Sequence, residues 1–157
     1  MAKQTITVIP GDGIGPDIID ATIKVLDKAG CDFEYEYADA GLTLALIEKN
    51  KITLKGPLTT PVGEGFTSIN VTLRKQFQLY ANVRPVLSFK GTKARYENID
   101  IITIRENTEG MYSGLGQTVS ADGTHAEAMS LVTREGAERI VTFAYETAIK
   151  EGRKKVT

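Results

Sequence analysis

Two stretches hold the side chains whose types and spacing could do chemistry. Residues 59–84 read TTPVGEGFTSINVTLRKQFQLYANVR and contribute Ser68, Asn70, Arg74 and Arg84. Residues 105–112 read RENTEGMY and contribute Arg105 and Tyr112. Arginine presents a planar fork of donors that grips a carboxylate at two points. Three such forks on rigid elements suit a small polycarboxylate. Ser68 and Asn70 fall where a helix should begin, and a helix N-terminus itself favours an anion. Tyr112 lies seven positions past Arg105, and a phenol there could donate or accept a proton near the ligand.

Each of these residues has a plainer use. Arg74 could be a surface residue on an amphipathic helix. Arg84 and Arg105 could pair with acidic neighbours such as Glu106 and Glu109. Ser68 could be only a helix cap. Glu106 and Glu109 could be a catalytic carboxylate pair, or merely a solvated turn. Spacing alone does not bring three arginines together.

The elements that must position them follow from apolar patterning. Residues 5–9 (TITVI) form a buried β-branched strand, ended by Pro10. Gly11-Asp12-Gly13-Ile14-Gly15 is a tight turn, and Pro16 opens a helix over 17–29 that Gly30 stops. The turn resembles a phosphate-binding opening but lacks the G-x-G-x-x-G spacing, so a tight turn of any α/β protein explains it equally. Strands over 33–38 and 51–55 flank a short helix over 41–50, which implies an α/β architecture with a largely parallel sheet. A Gly/Pro-marked loop spans 56–68, a helix 71–80, and an extended segment 82–89 in which Pro85 forces Arg84 out of helical geometry. A buried strand over 99–104 delivers Arg105 to its C-terminal end, where α/β sheets bind ligands. Residues 115–121 and 127–132 could form a two-stranded arm around Asp122-Gly123, with His125 solvated at its tip and without a role. Thr133 caps a helix to about residue 150, with Ala137, Ile140, Val141, Ala144 and Ala148 inward; residues 154–157 look like the opening of a further strand.

A chain of 157 residues can bury a sizeable core, and 41% hydrophobic with 25% charged residues is ordinary globular composition. Net charge is −1, so there is no basic excess of the kind nucleic acid requires. The single cysteine, Cys31, cannot form an internal disulfide, which points to a reducing, cytoplasmic setting. The N-terminus shows neither an apolar signal core nor Arg-rich transit character, and no run approaches a membrane span.

On longer motifs the chain resembles the N-terminal half of the decarboxylating isocitrate dehydrogenases, within the isocitrate/isopropylmalate dehydrogenase family. The motifs are IPGDGIGP at 9–16, LKGPLTTPVGEGFTSINVTLR at 54–74, YANVRPV at 80–86 and IRENTEGMYSG at 104–114. The resemblance implies the family's own two-domain α/β fold rather than a Rossmann fold. Residues 1–98 would open the large domain and 99–157 the small one, with a dimer-forming arm at about 110–132. It implies that Ser68, Asn70, Arg74, Arg84 and Arg105 bind the carboxylates of isocitrate, and that Tyr112 assists proton transfer. It places Thr59, Thr60 and Ile14 at the nicotinamide cofactor, with Asn70 between cofactor and substrate.

The implied parent is an NAD(P)-dependent enzyme, a homodimer. It oxidises isocitrate and releases CO2 to give 2-oxoglutarate, using NAD in preference to NADP. Mg2+ or Mn2+ is implied, with its ligands outside this chain. Ser68 matches a regulatory phosphorylation site of some bacterial relatives, where phosphate would repel a polyanion. Homoisocitrate and 3-isopropylmalate dehydrogenases, or a non-catalytic regulatory subunit, are the alternatives; the Ser68/Asn70 pair favours isocitrate. The family carries a longer segment near residues 41–44, and its catalytic lysine and metal-holding aspartates lie past residue 157. Residues 1–157 alone are therefore expected to be inactive.

Overall fold

The computed structural model describes residues 3–38, 43–59 and 68–157. The shortened segment at 41–44 and the loop residues from Thr60 to Thr67 thus lie wholly or partly outside the described residues. The chain divides into two compact units, Met1–Thr67 and Ser68–Thr157.

In the first unit, β1 (Gln4–Ile9) is the centre of a parallel sheet ordered β2-β1-β3, with β2 at Phe33–Tyr37 and β3 at Thr53–Lys55. A central parallel strand is covered on both faces, so consecutive side chains are buried. Ile6, Thr7, Val8 and Ile9 are all buried, as the unbroken apolar run requires. Thr7 is the polar exception and is satisfied. Its hydroxyl donates to the Leu46 carbonyl at 3.0 Å and accepts from Asn50 Nδ2 at 3.0 Å. Asn50 ends α2 (Thr43–Asn50) and also donates to Glu36 on β2 at 2.8 Å. The helix α1 (Gly15–Lys28) has Pro16 in its first turn and seats Ile19 against the core, 2% exposed.

The second unit is built on an antiparallel ladder of β4 (Ala81–Leu87) and β5 (Asp100–Glu106). The parallel expectation therefore holds for the first unit and not here. A parallel pair needs a crossover, usually helical, and the segment between these strands contains no helix. Pro85 sits in β4, whose other side has no strand partner among the described residues, the one place a sheet tolerates proline. The helix α3 (Ile69–Gln76) is shorter than its apolar pattern suggests: Gln78 takes a positive φ of 49° and turns the chain into β4. The helix α4 (Arg134–Lys150) packs on β5 and is capped by Thr133, whose hydroxyl accepts from Gly136 N at 3.0 Å. Val141, expected inward, is 51% exposed.

The expected arm is present but short. β6 (Thr118–Val119) pairs with β7 (Ala126–Glu127), and Gly110 bridges to Leu131 at its base. At its tip Ser120 and Thr124 donate to Asp122 and lower its pKa to about 2, while His125 meets Glu127 at 3.0 Å. Residues 154–157 form no strand.

Candidate anion-binding site

The site is assembled from α3, the β4–β5 ladder and the turn that follows β5. That turn ends in a single 3-10 turn, Met111–Ser113, entered through Gly110 at φ 66°, ψ −135°, a conformation open essentially to glycine. It carries Tyr112. The guanidinium of Arg74, from α3, lies 5.6 Å from the Tyr112 ring centre, and that of Arg105, from β5, lies 5.2 Å from it. Arg105 Nη2 also donates to the Tyr112 hydroxyl. Lys75 Nζ donates to the Ser113 carbonyl at 2.9 Å and ties α3 to the same turn.

Arg84 joins through the ladder register. Asn82 stands opposite Arg105 and Arg84 opposite Thr103. Side chains directly opposite, and two apart on a strand, share a face. Arg84 and Arg105 are therefore diagonal neighbours on one face of the sheet. Arg84 Nε donates to Asn82 Oδ1 at 3.1 Å, which orients its fork.

Charge pairing separates these arginines from those of α4 and of the segment just after it. Arg134, Arg139 and Arg153 pair with Glu138, Glu106 and Asp100 at 2.8, 3.3 and 2.6 Å. Among the described residues, Arg74, Arg84 and Arg105 have no carboxylate at ion-pair distance. The alternative in which Glu106 and Glu109 neutralise Arg84 and Arg105 is not realised.

Those two acids are otherwise engaged. Glu106 accepts from Thr108 N at 2.9 Å, Thr108 Oγ1 at 2.6 Å, Glu109 N at 2.7 Å and Arg139. Burial pushes its pKa up, but the Thr108 hydroxyl, the two amides and Arg139 outweigh that and hold it below the usual carboxylate range. Glu109 is held low by the hydroxyl and then the amide of Thr133. Two acids kept ionised by saturating donors are poor general acids, so the catalytic-pair reading fails on this geometry. A cleft of about 530 Å³ opens beside them, lined by Arg105, Glu109, Tyr112 and the apolar Val132, Ala137 and Ile140.

Ser68 takes the N-cap position of α3, without a side-chain cap bond to the helix among the described residues. Asn70 lies in the first turn, four residues before Arg74 and so on the same side of the helix.

Thr59 and Ile14 belong to the first unit, and Thr60 lies outside the described residues. Ile14 precedes α1 and is 68% exposed. Thr59 donates to Asp12 twice, from its amide at 2.8 Å and its hydroxyl at 2.7 Å. Asp12 N in turn donates to the Pro57 carbonyl at 3.0 Å. The sequence by itself presents Asp12 only as part of a tight turn.

The Thr59 hydroxyl, then its amide, lower the Asp12 pKa. A lowered folded pKa adds stability above the unfolded value, about 3.9, which is lost as pH falls through the folded one. The Asp12 carboxyl carbon should titrate below about 3.9 by NMR, and T59V should raise its midpoint. A midpoint unmoved by T59V would mean that the latch does not form.

Among the described residues no cluster of three His, Cys, Asp or Glu is placed to hold a metal. The donors among the described residues therefore do not by themselves fit a divalent ion. Among them, too, no helix is long and apolar enough to cross a membrane.

The sequence pattern of the isocitrate/isopropylmalate dehydrogenases matches residues 5–157. The chain is 45% identical to a mitochondrial NAD isocitrate dehydrogenase regulatory subunit of Dictyostelium discoideum, covering 98% of this chain and 45% of that one. It is 45% identical to the NADP isocitrate dehydrogenase of Thermus thermophilus, over 98% of this chain and 34% of that one. It is 42% identical to the mitochondrial NAD catalytic subunit 5 of Arabidopsis thaliana, over 98% and 44%. The crystal structure of isocitrate dehydrogenase from Methylococcus capsulatus superposes with a TM-score of 0.87 at 44% identity, over 96% of this chain and 49% of that one. The chain thus spans about half or less of the length of each.

Two expectations are overturned. A firm assignment as a catalytic enzyme conflicts with a 45% identical relative being named a regulatory subunit. An arginine set that binds a substrate can persist with or without the chemistry beside it. The cytoplasmic setting conflicts with relatives named mitochondrial. A lone cysteine reports only on redox conditions, which more than one compartment shares. The α/β architecture, the motif stretches and the likeness along nearly the whole chain agree on one conclusion: it belongs to the isocitrate/isopropylmalate dehydrogenase family.

Proposed function

We propose that the cluster around Tyr112 is the carboxylate-binding half-site for isocitrate in one subunit of an isocitrate dehydrogenase. The observation that carries this reading is the convergence of Arg74 and Arg105 on one phenol, with Arg84 diagonal to Arg105 and, among the described residues, none of the three paired to a carboxylate. Like charges gathered without counterions are costly to keep together, and a polycarboxylate removes that cost while offering each fork a partner. Ser68 and Asn70 add donors at the start of α3, and Tyr112 holds a proton beside the ligand. Thr59, Thr60 and Ile14 serve the nicotinamide end of the cofactor, with Asn70 between cofactor and substrate; NAD is preferred to NADP.

The same half-site serves a catalytic or a regulatory subunit. In the whole protein, residues 1–98 belong to the large domain and 99–157 to the small one, with β4 and β5 pairing across that junction. The arm at 110–132 contributes to a homodimer; Val119, Met129 and Val132 on it are more than half exposed.

Calorimetry on the full-length protein tests the reading. Isocitrate should bind, and more tightly than 3-isopropylmalate, whose apolar branch leaves one fork empty. A preference for 3-isopropylmalate, or no binding of either, would sink it. Residues 1–157 alone should show negligible isocitrate oxidation with NAD or NADP and Mg2+, and ordinary turnover from them would contradict the half-site reading.

A further inference from the structure

We propose that Glu109 is a positioning residue of this site, holding the Tyr112 turn to the first turn of α4. The proposal rests on the anion-binding reading above. Glu109 Oε2 accepts from Thr133 N at 2.9 Å and Oε1 accepts from Thr133 Oγ1 at 2.5 Å. The same Thr133 hydroxyl accepts from Gly136 N at 3.0 Å and so caps the helix. Gly136 is buried, and a methyl group on it would overlap the Glu109 carboxylate. Glycine inside a helix is unfavourable, and here it makes room for that carboxylate.

On the other side, the Glu109 carbonyl accepts from Tyr112 N at 3.3 Å. The Gly110–Leu131 bridge, with N···O distances of 2.7 and 3.3 Å, holds the same turn to the segment leading into Thr133. The turn is therefore bolted at two places, to the cap of α4 and to the segment just before it, and Tyr112 leaves it with the Arg74 and Arg105 guanidiniums both near its ring. A carboxylate beside an anion site is electrostatically unfavourable unless it does something else, and its oxygens are occupied by Thr133.

The sign of one effect separates this role from simple charge. E109Q removes a negative charge beside the site, so Coulomb attraction alone predicts tighter isocitrate binding. Positioning predicts the reverse, a loss of about tenfold, because Gln keeps only one acceptor for the two Thr133 donors. In the full-length protein, G136A and T133V keep the charge but displace or unpair the carboxylate, and should weaken isocitrate binding comparably. T133S restores the hydroxyl and should bind as the wild type does.

G136A gives the helix a better helix former, so its melting temperature should not fall in step with its affinity. The Tyr112 Cζ resonance, identified by its loss in Y112F, should move in E109Q and G136A without ligand. Unchanged or tighter binding by E109Q, with an unmoved Tyr112 resonance, would overturn the proposal. If the wild type binds no isocitrate, the functional reading fails instead, and the ligand-free Tyr112 resonance alone decides the positioning role. Should G136A not fold, the T133V and T133S pair carries the same comparison.

Discussion

Replacing Arg105 with alanine should weaken isocitrate binding by the full-length protein about a hundredfold. The change removes two things at once. One is a fork able to make charge-assisted hydrogen bonds, each worth about 1.5–3 kcal/mol. The other is the donor that fixes the Tyr112 hydroxyl and the cation against its ring. R105K keeps the charge but loses the planar fork and the stacking, so roughly half of the loss in free energy should return, leaving about a tenfold deficit. Arg134→Ala is the control. Its pair with Glu138 is an exposed i,i+4 contact on α4, and such pairs contribute about 0.3–0.5 kcal/mol to stability. It should leave isocitrate affinity unaltered. Equal affinities for R105A and R134A would remove the arginine cluster as the basis of binding.

Gly56→Ala should cost about 3 kcal/mol of stability, at the upper end of what overpacking costs. A methyl group at Gly56 would overlap the Pro10 carbonyl oxygen, and one at Gly11 would overlap the Pro57 carbonyl oxygen. The two loops interlock backbone to backbone, with Gly56 N donating to the Ile9 carbonyl at 2.8 Å and Asp12 N to that of Pro57 at 3.0 Å. Neither loop can retreat without giving up these bonds. Gly13 supplies the comparison, since it has a φ of 56° but open space where a side chain would go. Gly13→Ala should therefore cost only the left-handed penalty, about 1–2 kcal/mol. Urea titration of both variants in the full-length protein measures the difference. A loss at Gly56 no greater than at Gly13 would show that the loops are not in contact.

These two glycines show where sequence reading stops. The motif 9–16 is legible as a turn, and its glycines suggest tight backbone geometry. The partner of Gly11 lies at 56–57, and the Asp12–Thr59 bonds span 47 positions. Nothing within a few residues of Asp12 announces Thr59. Glu109 is a similar case. Beside Glu106 it reads as an acidic pair, and only its contact with Thr133, 24 positions away, gives it a use. Arg139 looks like a surface residue of a helix, yet it crosses 33 positions to Glu106 and lies over Tyr80.

The chain's local features are readable because their causes are local. Apolar period and capping residues place β1, α1 and α4 to within a few residues, and Thr133 caps α4 through a bond only three positions long. The residue types of the site are readable for the same reason: Ser68, Asn70, Arg74, Arg84, Arg105 and Tyr112 are visible in the letters. Their arrangement is not. Whether Arg84 and Arg105 share a sheet face depends on antiparallel register, which no single strand encodes. Whether an arginine keeps its charge free for a ligand depends on which carboxylates the fold draws away, and here Arg139 and Thr133 draw off Glu106 and Glu109. Local pattern determined the elements and the chemical inventory; contacts between distant residues decided which members of that inventory meet.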